Sequence, residues 1–104
     1  MQELTLIPFT IYNGREPFTD WLLKLDYLTQ KRILVRLARI QVGNFGDCKQ
    51  LSKDLFELRL FFGRIYFGKN GKKIIILLHG GNKNTQDKDI KKAKIYWKQY
   101  LEKV

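Results

Sequence analysis

Apolar side chains recur at three- and four-residue spacing in two neighbouring segments of the N-terminal half, which is the period of an amphipathic helix. Pro17 opens the first segment, FTDWLLKLDYL. Its apolar positions are Phe18, Trp21, Leu22, Leu25 and Leu28. Thr29 is the expected N-cap of the second segment, KRILVRLARIQ, and Gly43 ends it. The apolar stripe of that segment is Ile33, Leu37 and Ile40. The pattern predicts two helices that form a hairpin.

Runs rich in aromatic and β-branched residues predict strands elsewhere in the chain. Leu4–Phe9 predicts a short first strand, and Pro8 indicates a sheet edge or the end of the strand because proline cannot donate to a ladder. Turn-forming residues and weak periodicity over Asn44–Asp54 predict a surface loop after the helices.

Three further strands are expected to form an antiparallel meander. Leu55–Phe62 and Arg64–Gly68 are separated only by Gly63, and the pair Asn70-Gly71 is a strong hairpin signal before the run KIIILLH. The consecutive aliphatic residues of Ile74–Leu78 predict a central strand that is buried on both faces.

A last helix is predicted after the break at HGGN, with Asn84 or Thr85 as its cap. Its apolar face is Ile90, Ala93, Trp97, Tyr100 and Leu101. The order βααβββα predicts an α+β fold, in which a twisted antiparallel sheet is covered by a single layer of two N-terminal helices and a C-terminal helix. No repeat or linker divides the chain, so residues 1–104 are expected to form one domain.

The net charge of the chain indicates the kind of partner that it binds rather than its fold. The chain has a formal net charge of +10 at pH 7, and most of this excess lies in residues 53–104. Such a balance predicts attraction to nucleic acid or to an acidic protein. With 44% hydrophobic residues, the composition argues against intrinsic disorder.

Cysteine content and the first ten residues bear on the compartment of the protein. Cys48 is the single cysteine, so an internal disulfide is excluded and a reducing compartment is expected. The segment MQELTLIPFT carries an acid where a signal peptide carries positive charge, and no apolar run approaches a membrane span. We therefore expect a cytoplasmic protein with no membrane partner.

Basic residues without nearby acids form the candidate site. No carboxylate occurs between Glu57 and Asp87, whereas Arg59, Arg64 and Lys83 all lie in that stretch. The planar fork of arginine matches phosphate oxygens and can neutralise charge that grows on them during phosphoryl transfer. Strand alternation would allow Arg59 and Arg64 to share a face if the turn is centred near Gly63. The alternative is that they are ordinary solvated strand charges.

Other residues extend this candidate site. His79 is the only histidine and follows the aliphatic strand, where it could titrate near neutrality or simply pack at a strand end. Tyr66 and Phe67 could stack on nucleobases or belong to the core. Lys53 and Lys88 are further candidates for phosphate binding. The alternative for Lys88 is that the lysines of the last helix form an ordinary solvated face with no ligand.

The sequence lacks the motifs of several common metal, nucleotide and nucleophile sites. There is no Cys and His cluster at zinc spacing, no phosphate loop ending in Lys-Ser or Lys-Thr, and no serine in a nucleophile elbow. We therefore expect neither a metal nor a small-molecule cofactor.

Four motifs stand in one order along the chain. These are VGNFGDCKQL, DLFELRL, RIYFGKNGKKIIILLHGGNKNTQDKDIKKA and a terminal YWK. The combination of GNFGD, ELR, RIYF and GG-x-K-x-x-Q-x-x-DI resembles the addiction-module killer proteins of the RelE-like toxin superfamily, in the HigB-like group. The resemblance extends from Phe18 to Leu101.

The resemblance implies a toxin of a bacterial type II toxin–antitoxin system. Its implied activity is metal-independent cleavage of messenger RNA on the ribosome, in which the RNA 2′-hydroxyl attacks the adjacent phosphate. Its implied partner is a cognate helix-turn-helix antitoxin. The functional positions of the family fall on Arg59, Arg64 and Lys83.

The sequence departs from the family in two places. The family usually has a Gly-Pro-Gly-Tyr insertion before Arg64, but this chain runs directly through Phe61-Phe62-Gly63. Leu55 and Glu57 stand where related toxins have proton-transferring lysines, so the general base is unassigned and His79 is a candidate. A catalytically degenerate module that binds RNA, ribosomes or an antitoxin is therefore an alternative. A third possibility is that the basic side chains of the second and last predicted helices serve only solubility and packing.

Overall fold

The structure is a computed structural model, and it describes residues 3–103. The elements are β1 (Thr5–Pro8), α1 (Pro17–Leu23), α2 (Tyr27–Gln41), β2 (Cys48–Ser52), β3 (Leu55–Arg59), β4 (Arg64–Asn70), β5 (Ile74–Gly81) and α3 (Gln86–Lys103). A 3-10 turn over Lys83–Thr85 leads directly into α3.

The strands form one sheet in the order β1-β5-β4-β3-β2. Strands β2 to β5 are antiparallel, so the predicted meander and the α+β class are confirmed. β1 occupies the edge that Pro8 suggested, but it pairs parallel to β5, with Thr5 opposite Ile74. The sheet is therefore mixed, with one parallel pair at its edge and antiparallel pairs elsewhere.

Two segments differ from the prediction. The expected loop Asn44–Asp54 contains the edge strand β2, whose residues are exposed or half-buried and so lack the alternation that identifies a strand. β3 ends at Arg59 rather than Phe62, because the Leu60 N–H donates to the Gly63 carbonyl at 2.8 Å and closes a tight turn.

The helix boundaries also shift toward the N-terminus. Asp26, not Thr29, caps α2, since its carboxylate accepts hydrogen bonds from both the backbone N–H and the hydroxyl of Thr29 at 3.2 and 2.6 Å. α1 therefore ends at Leu23, and Leu28 is exposed on α2. Within residues 3–103, no helix has the length and apolar content needed to cross a membrane.

Helices cover both faces of the sheet, not one face as expected. α1 and α2 pack on one face around Phe18, Ile33 and Leu37. α3 packs on the other face through Ala93 and Trp97. The close approach of α3 requires glycine at Gly68, where an added Cβ would collide with the Trp97 ring.

Candidate functional site

Two rows of cross-strand neighbours lie side by side on the α3 face of the sheet. The arginine row is Arg59, Arg64 and Gly81, and the carboxylate row is Glu57, Tyr66 and His79. Residues two positions apart in a strand share a face, which explains why β3 and β4 each contribute to both rows. The register that sequence alone left open thus makes Arg59 and Arg64 direct partners.

A β-bulge in β5 brings His79 onto this face. The pairing shifts from Tyr66 opposite His79 to Phe67 opposite Leu77, which leaves Leu78 as the extra residue. Leu78 packs in the core beneath α3, so strict alternation would turn His79 to the opposite face. The bulge reverses that alternation and directs the imidazole under α3.

Glu57 links the two arginines of the arginine row. Its side chain has no solvent exposure, and its Oε1 lies 3.7 Å from Arg59 Nε and 3.9 Å from Arg64 Nε. Its Oε2 accepts a hydrogen bond of 2.9 Å from Nε2 of Gln86, in the first turn of α3. A buried carboxylate requires such partners, and in return it restricts both guanidinium groups.

The two arginines differ in accessibility. The Arg64 side chain is only 14% exposed, and its Nη1 donates to the carbonyls of Gly63 and Leu60 at 3.0 and 3.4 Å. The Arg59 side chain is 40% exposed and lies 4.0 Å from the Asp47 carboxylate. Arg59 is therefore the more open contact for an anion, and Arg64 is the more rigid one.

His79 is held in a buried network beneath α3. Its Nε2 lies 3.0 Å from Oδ1 of Asp89, whose Oδ2 accepts the Thr85 hydroxyl at 2.5 Å. The ring stacks on Tyr66 and meets Tyr96 edge-on. Burial lowers the pKa of His79, although the hydrogen bond to Asp89 opposes this shift. The imidazole is consequently neutral at neutral pH, and its Nδ1 has no partner among residues 3–103.

Tyr66 lies inside the carboxylate row. Burial, followed by the nearby charge of Glu57, raises the pKa of its phenol well above the ordinary value. The ring is fully buried, so of the two roles considered for Tyr66 the structure favours core packing over stacking on an RNA base. Phe67 is also fully buried and stacks with Phe45 and Phe56 on the other face.

The candidate lysines lie at different distances from the arginine row. Lys83 is exposed and follows Gly81 by two residues, so it is at the same end of the sheet. Lys83 and Lys88 line a shallow cavity of about 350 Å³ at the start of α3, and neither Arg59 nor Arg64 contributes to its walls. Lys53 lies in the turn before β3, roughly 20 Å of strand away from Arg59, so the structure does not bring it to this group.

Sequence reasoning missed the acidic and amide side chains that organise the site. Glu57 could have been found, because it is two residues before Arg59 in a predicted strand and therefore shares its face. Gln86 and Asp89 are the Q and D of the motif GG-x-K-x-x-Q-x-x-DI, but their hydrogen bonds to Glu57 and His79 depend on the docking of α3. Residues 3–103 contain no group of three or more His, Cys, Asp or Glu side chains placed to hold a metal ion.

The fold and the site together define a small basic α+β protein in which two cross-strand arginines share a buried carboxylate. Residues 20–98 match the family model described as phage-derived protein Gp49-like (DUF891), and the chain belongs to this family. It is a toxin-like family related to the RelE and HigB toxins. The chain is also 48% identical over 82 residues to an uncharacterized protein of Haemophilus influenzae, which covers 75% of this chain and 83% of the relative.

Proposed function

We propose that this protein is the toxin of a bacterial type II toxin–antitoxin system and cleaves messenger RNA on the ribosome. The observation that carries the proposal is the direct cross-strand pairing of Arg59 and Arg64 around the buried Glu57 carboxylate. Membership of a toxin-like family and the net charge of +10 support it.

The proposed reaction needs no metal. The 2′-oxygen of a ribose attacks the adjacent phosphorus, the bond to the 5′-oxygen of the next nucleotide breaks, and the products are a 2′,3′-cyclic phosphate and a 5′-hydroxyl. Negative charge grows on the non-bridging phosphate oxygens during this step. Arg59 and Arg64 would bind those oxygens, and Lys83 would bind a neighbouring phosphate of the strand.

Two further residues have different parts in the proposal. Glu57 is a positioning residue, because it holds the guanidinium groups and is itself inaccessible to RNA. His79 stays a prediction as the acceptor of the 2′-hydroxyl proton. Its neutral form favours that role, whereas its Nδ1 is buried and only 13% of its side chain is exposed.

The decisive experiment compares Arg64→Ala with Arg15→Ala, a control at an exposed arginine in a surface ion pair with Asp20. Induced expression should arrest growth in the wild type and the control. Cleavage of mRNA on purified ribosomes should fall by about 10²–10³ in Arg64→Ala, the usual effect of removing one transition-state donor. Equal protein level and circular dichroism exclude a folding defect. Full cleavage by a folded Arg64→Ala protein would contradict the proposal.

The proposed antitoxin contact is the outer face of α2. Its exposed apolar side chains are Tyr27, Leu28, Leu34, Val35 and Val42, the last being the C-cap. Residues 27–41 contain four basic side chains and no acid, so two copies of this face would repel each other. An acidic amphipathic segment of a helix-turn-helix antitoxin fits this face by both charge and polarity. Val35→Glu should abolish rescue of growth by the co-expressed antitoxin while leaving toxicity intact.

A non-catalytic module is the second candidate function. The tight Leu60–Gly63 turn favours it, because this turn stands where related toxins have an insertion next to the arginine. Salt-sensitive RNA or ribosome binding without cleavage by the wild-type protein would support this function against the nuclease.

A further inference from the structure

A cavity of about 260 Å³ opens at the end of β5, between α1 and the start of α3. It contains none of the residues proposed to contact the scissile phosphate. Its aromatic walls are Trp21, from α1, and Phe62, from the turn before β4. Both rings are half-buried, so each is fixed on one side and retains accessible surface on another.

Two glycines at the end of β5 allow neighbouring side chains to approach the strand closely beside this cavity. Gly80 and Gly81 form part of the wall, and an added Cβ at Gly80 would collide with the Trp21 indole. A Cβ at Gly81 would collide with the Asp89 carboxylate on the other side of the strand. The two glycines therefore let Trp21 and Asp89 pack directly on the strand backbone from its two sides, and both side chains line the cavity.

The cavity adjoins the arginine row directly. Gly81 belongs to both, and it is the cross-strand partner of Arg64. Cross-strand α-carbons lie roughly 4.5–5.5 Å apart, a separation within the span of one nucleotide. Arg64 also donates to the carbonyl of Gly63, the residue that follows Phe62. The aromatic wall and the guanidinium are thus fixed by the same turn.

Asn82 supplies a polar group at the rim. Its Oδ1 accepts the backbone N–H groups of Asn84 and Thr85 at 2.9 and 3.1 Å, which identifies the other branch of the amide as Nδ2. Within the described part of the chain, Nδ2 donates no hydrogen bond to a protein group. It is available to an acceptor on the edge of a ligand, such as a carbonyl oxygen or ring nitrogen of a base.

We propose that this cavity binds one nucleobase of the RNA strand, adjacent to the phosphate held by the arginine row. The base stacks against Trp21 and Phe62, and Asn82 Nδ2 donates to its edge. Aromatic side chains beside a basic surface are the usual platform for single-stranded RNA. This inference rests on the proposed function and adds to it the element that positions the strand.

The test uses an RNA hexamer with 2′-O-methyl groups, which lacks the attacking hydroxyl and cannot be cleaved. Phe62→Leu should raise its Kd by roughly 5- to 150-fold, the range for the loss of one base–aromatic stack. Phe61→Leu is the matched control, because Phe61 is 92% exposed and does not line the cavity. One abasic position in the hexamer should weaken binding to the wild type by a similar factor and should not weaken binding to Phe62→Leu further.

Each outcome has a distinct meaning. The base site is overturned if wild type and Phe62→Leu bind the hexamer with equal Kd. It is also overturned if the abasic position weakens binding to Phe62→Leu as much as to the wild type. Both results leave a phosphate-binding nuclease intact. Failure of the wild type to bind the hexamer overturns the base site and removes the RNA-binding basis of the proposed function. Titration with the mononucleotides AMP, GMP, CMP and UMP tests whether the cavity binds a free nucleotide rather than a base within an RNA strand. Binding of one of them as tightly as the hexamer would overturn the assignment to an RNA strand.

Discussion

Replacing Glu57 by glutamine removes one negative charge from a fully buried position while keeping the side chain's size. The amide oxygen can still accept the hydrogen bond from Gln86, so the perturbation is confined to the ion pairs with Arg59 and Arg64. Arg64 then loses its carboxylate partner, and Arg59 keeps only the exposed Asp47 carboxylate at 4.0 Å. We expect the folded state to be destabilised because the neighbouring positive charges repel.

The magnitude follows from distance and exposure. Each Nε to Oε1 separation is close to 4 Å, at which two unit charges interact by about 4 kcal/mol at an effective dielectric constant near 20. The contribution of Arg59 is reduced to about 0–1 kcal/mol because 40% of its side chain is exposed. Relief of the carboxylate's desolvation offsets part of the Arg64 contribution. The net loss in the free energy of unfolding should be about 2–3 kcal/mol.

Urea denaturation followed by circular dichroism measures this loss. With a slope of roughly 1–3 kcal/mol per molar urea, the midpoint should decrease by about 0.7–3 M. Glu102→Gln, the same change at an exposed position near the end of α3, should remain within about 0.5 kcal/mol of the wild type. A Glu57→Gln protein as stable as the wild type would refute the view that this carboxylate holds the arginine row together.

Two other predictions concern His79 and Gly68. Burial holds the folded-state pKa of His79 below its ordinary value of 6.5, so the unfolded state binds the proton more readily. Stability should therefore fall as the pH decreases below about 6.5, by at most about 1.4 kcal/mol per pH unit, and urea midpoints of His79→Gln should lack this component. Gly68→Ala should cost about 1–3 kcal/mol because its Cβ meets Trp97. An equal cost in a Trp97→Leu background would contradict that cause.

The elements that carry strong periodicity were predictable from sequence. The α2 stripe and the Asn70-Gly71 hairpin depend on local spacing and turn chemistry, and both appear in the structure. The start of α2 was misassigned because Asp26 and Thr29 are both good capping residues, and the hydrogen bonds between them decide which one caps the helix. β2 was missed because an exposed edge strand has no buried face to create an alternating pattern.

The candidate site was predictable only in part. Charge indicated Arg59 and Arg64, and the register that makes them partners depends on the tight turn at Leu60–Gly63. The orientation of His79 depends on the bulge at Leu78, which leaves no mark in an unbroken aliphatic run. Long-range packing, rather than local sequence, therefore determines which chemical groups meet.

The parallel pairing of β1 with β5 has a consequence for synthesis of the chain. Thr5 finds its partner in Ile74, so the first strand to leave the ribosome must wait for the last strand before it can join the sheet. Gly81 and His79 complete their rows at that same late stage. A nascent chain that stops short of β5 therefore leaves β1 without a partner and both rows incomplete, so the sheet closes only after most of the chain has been made.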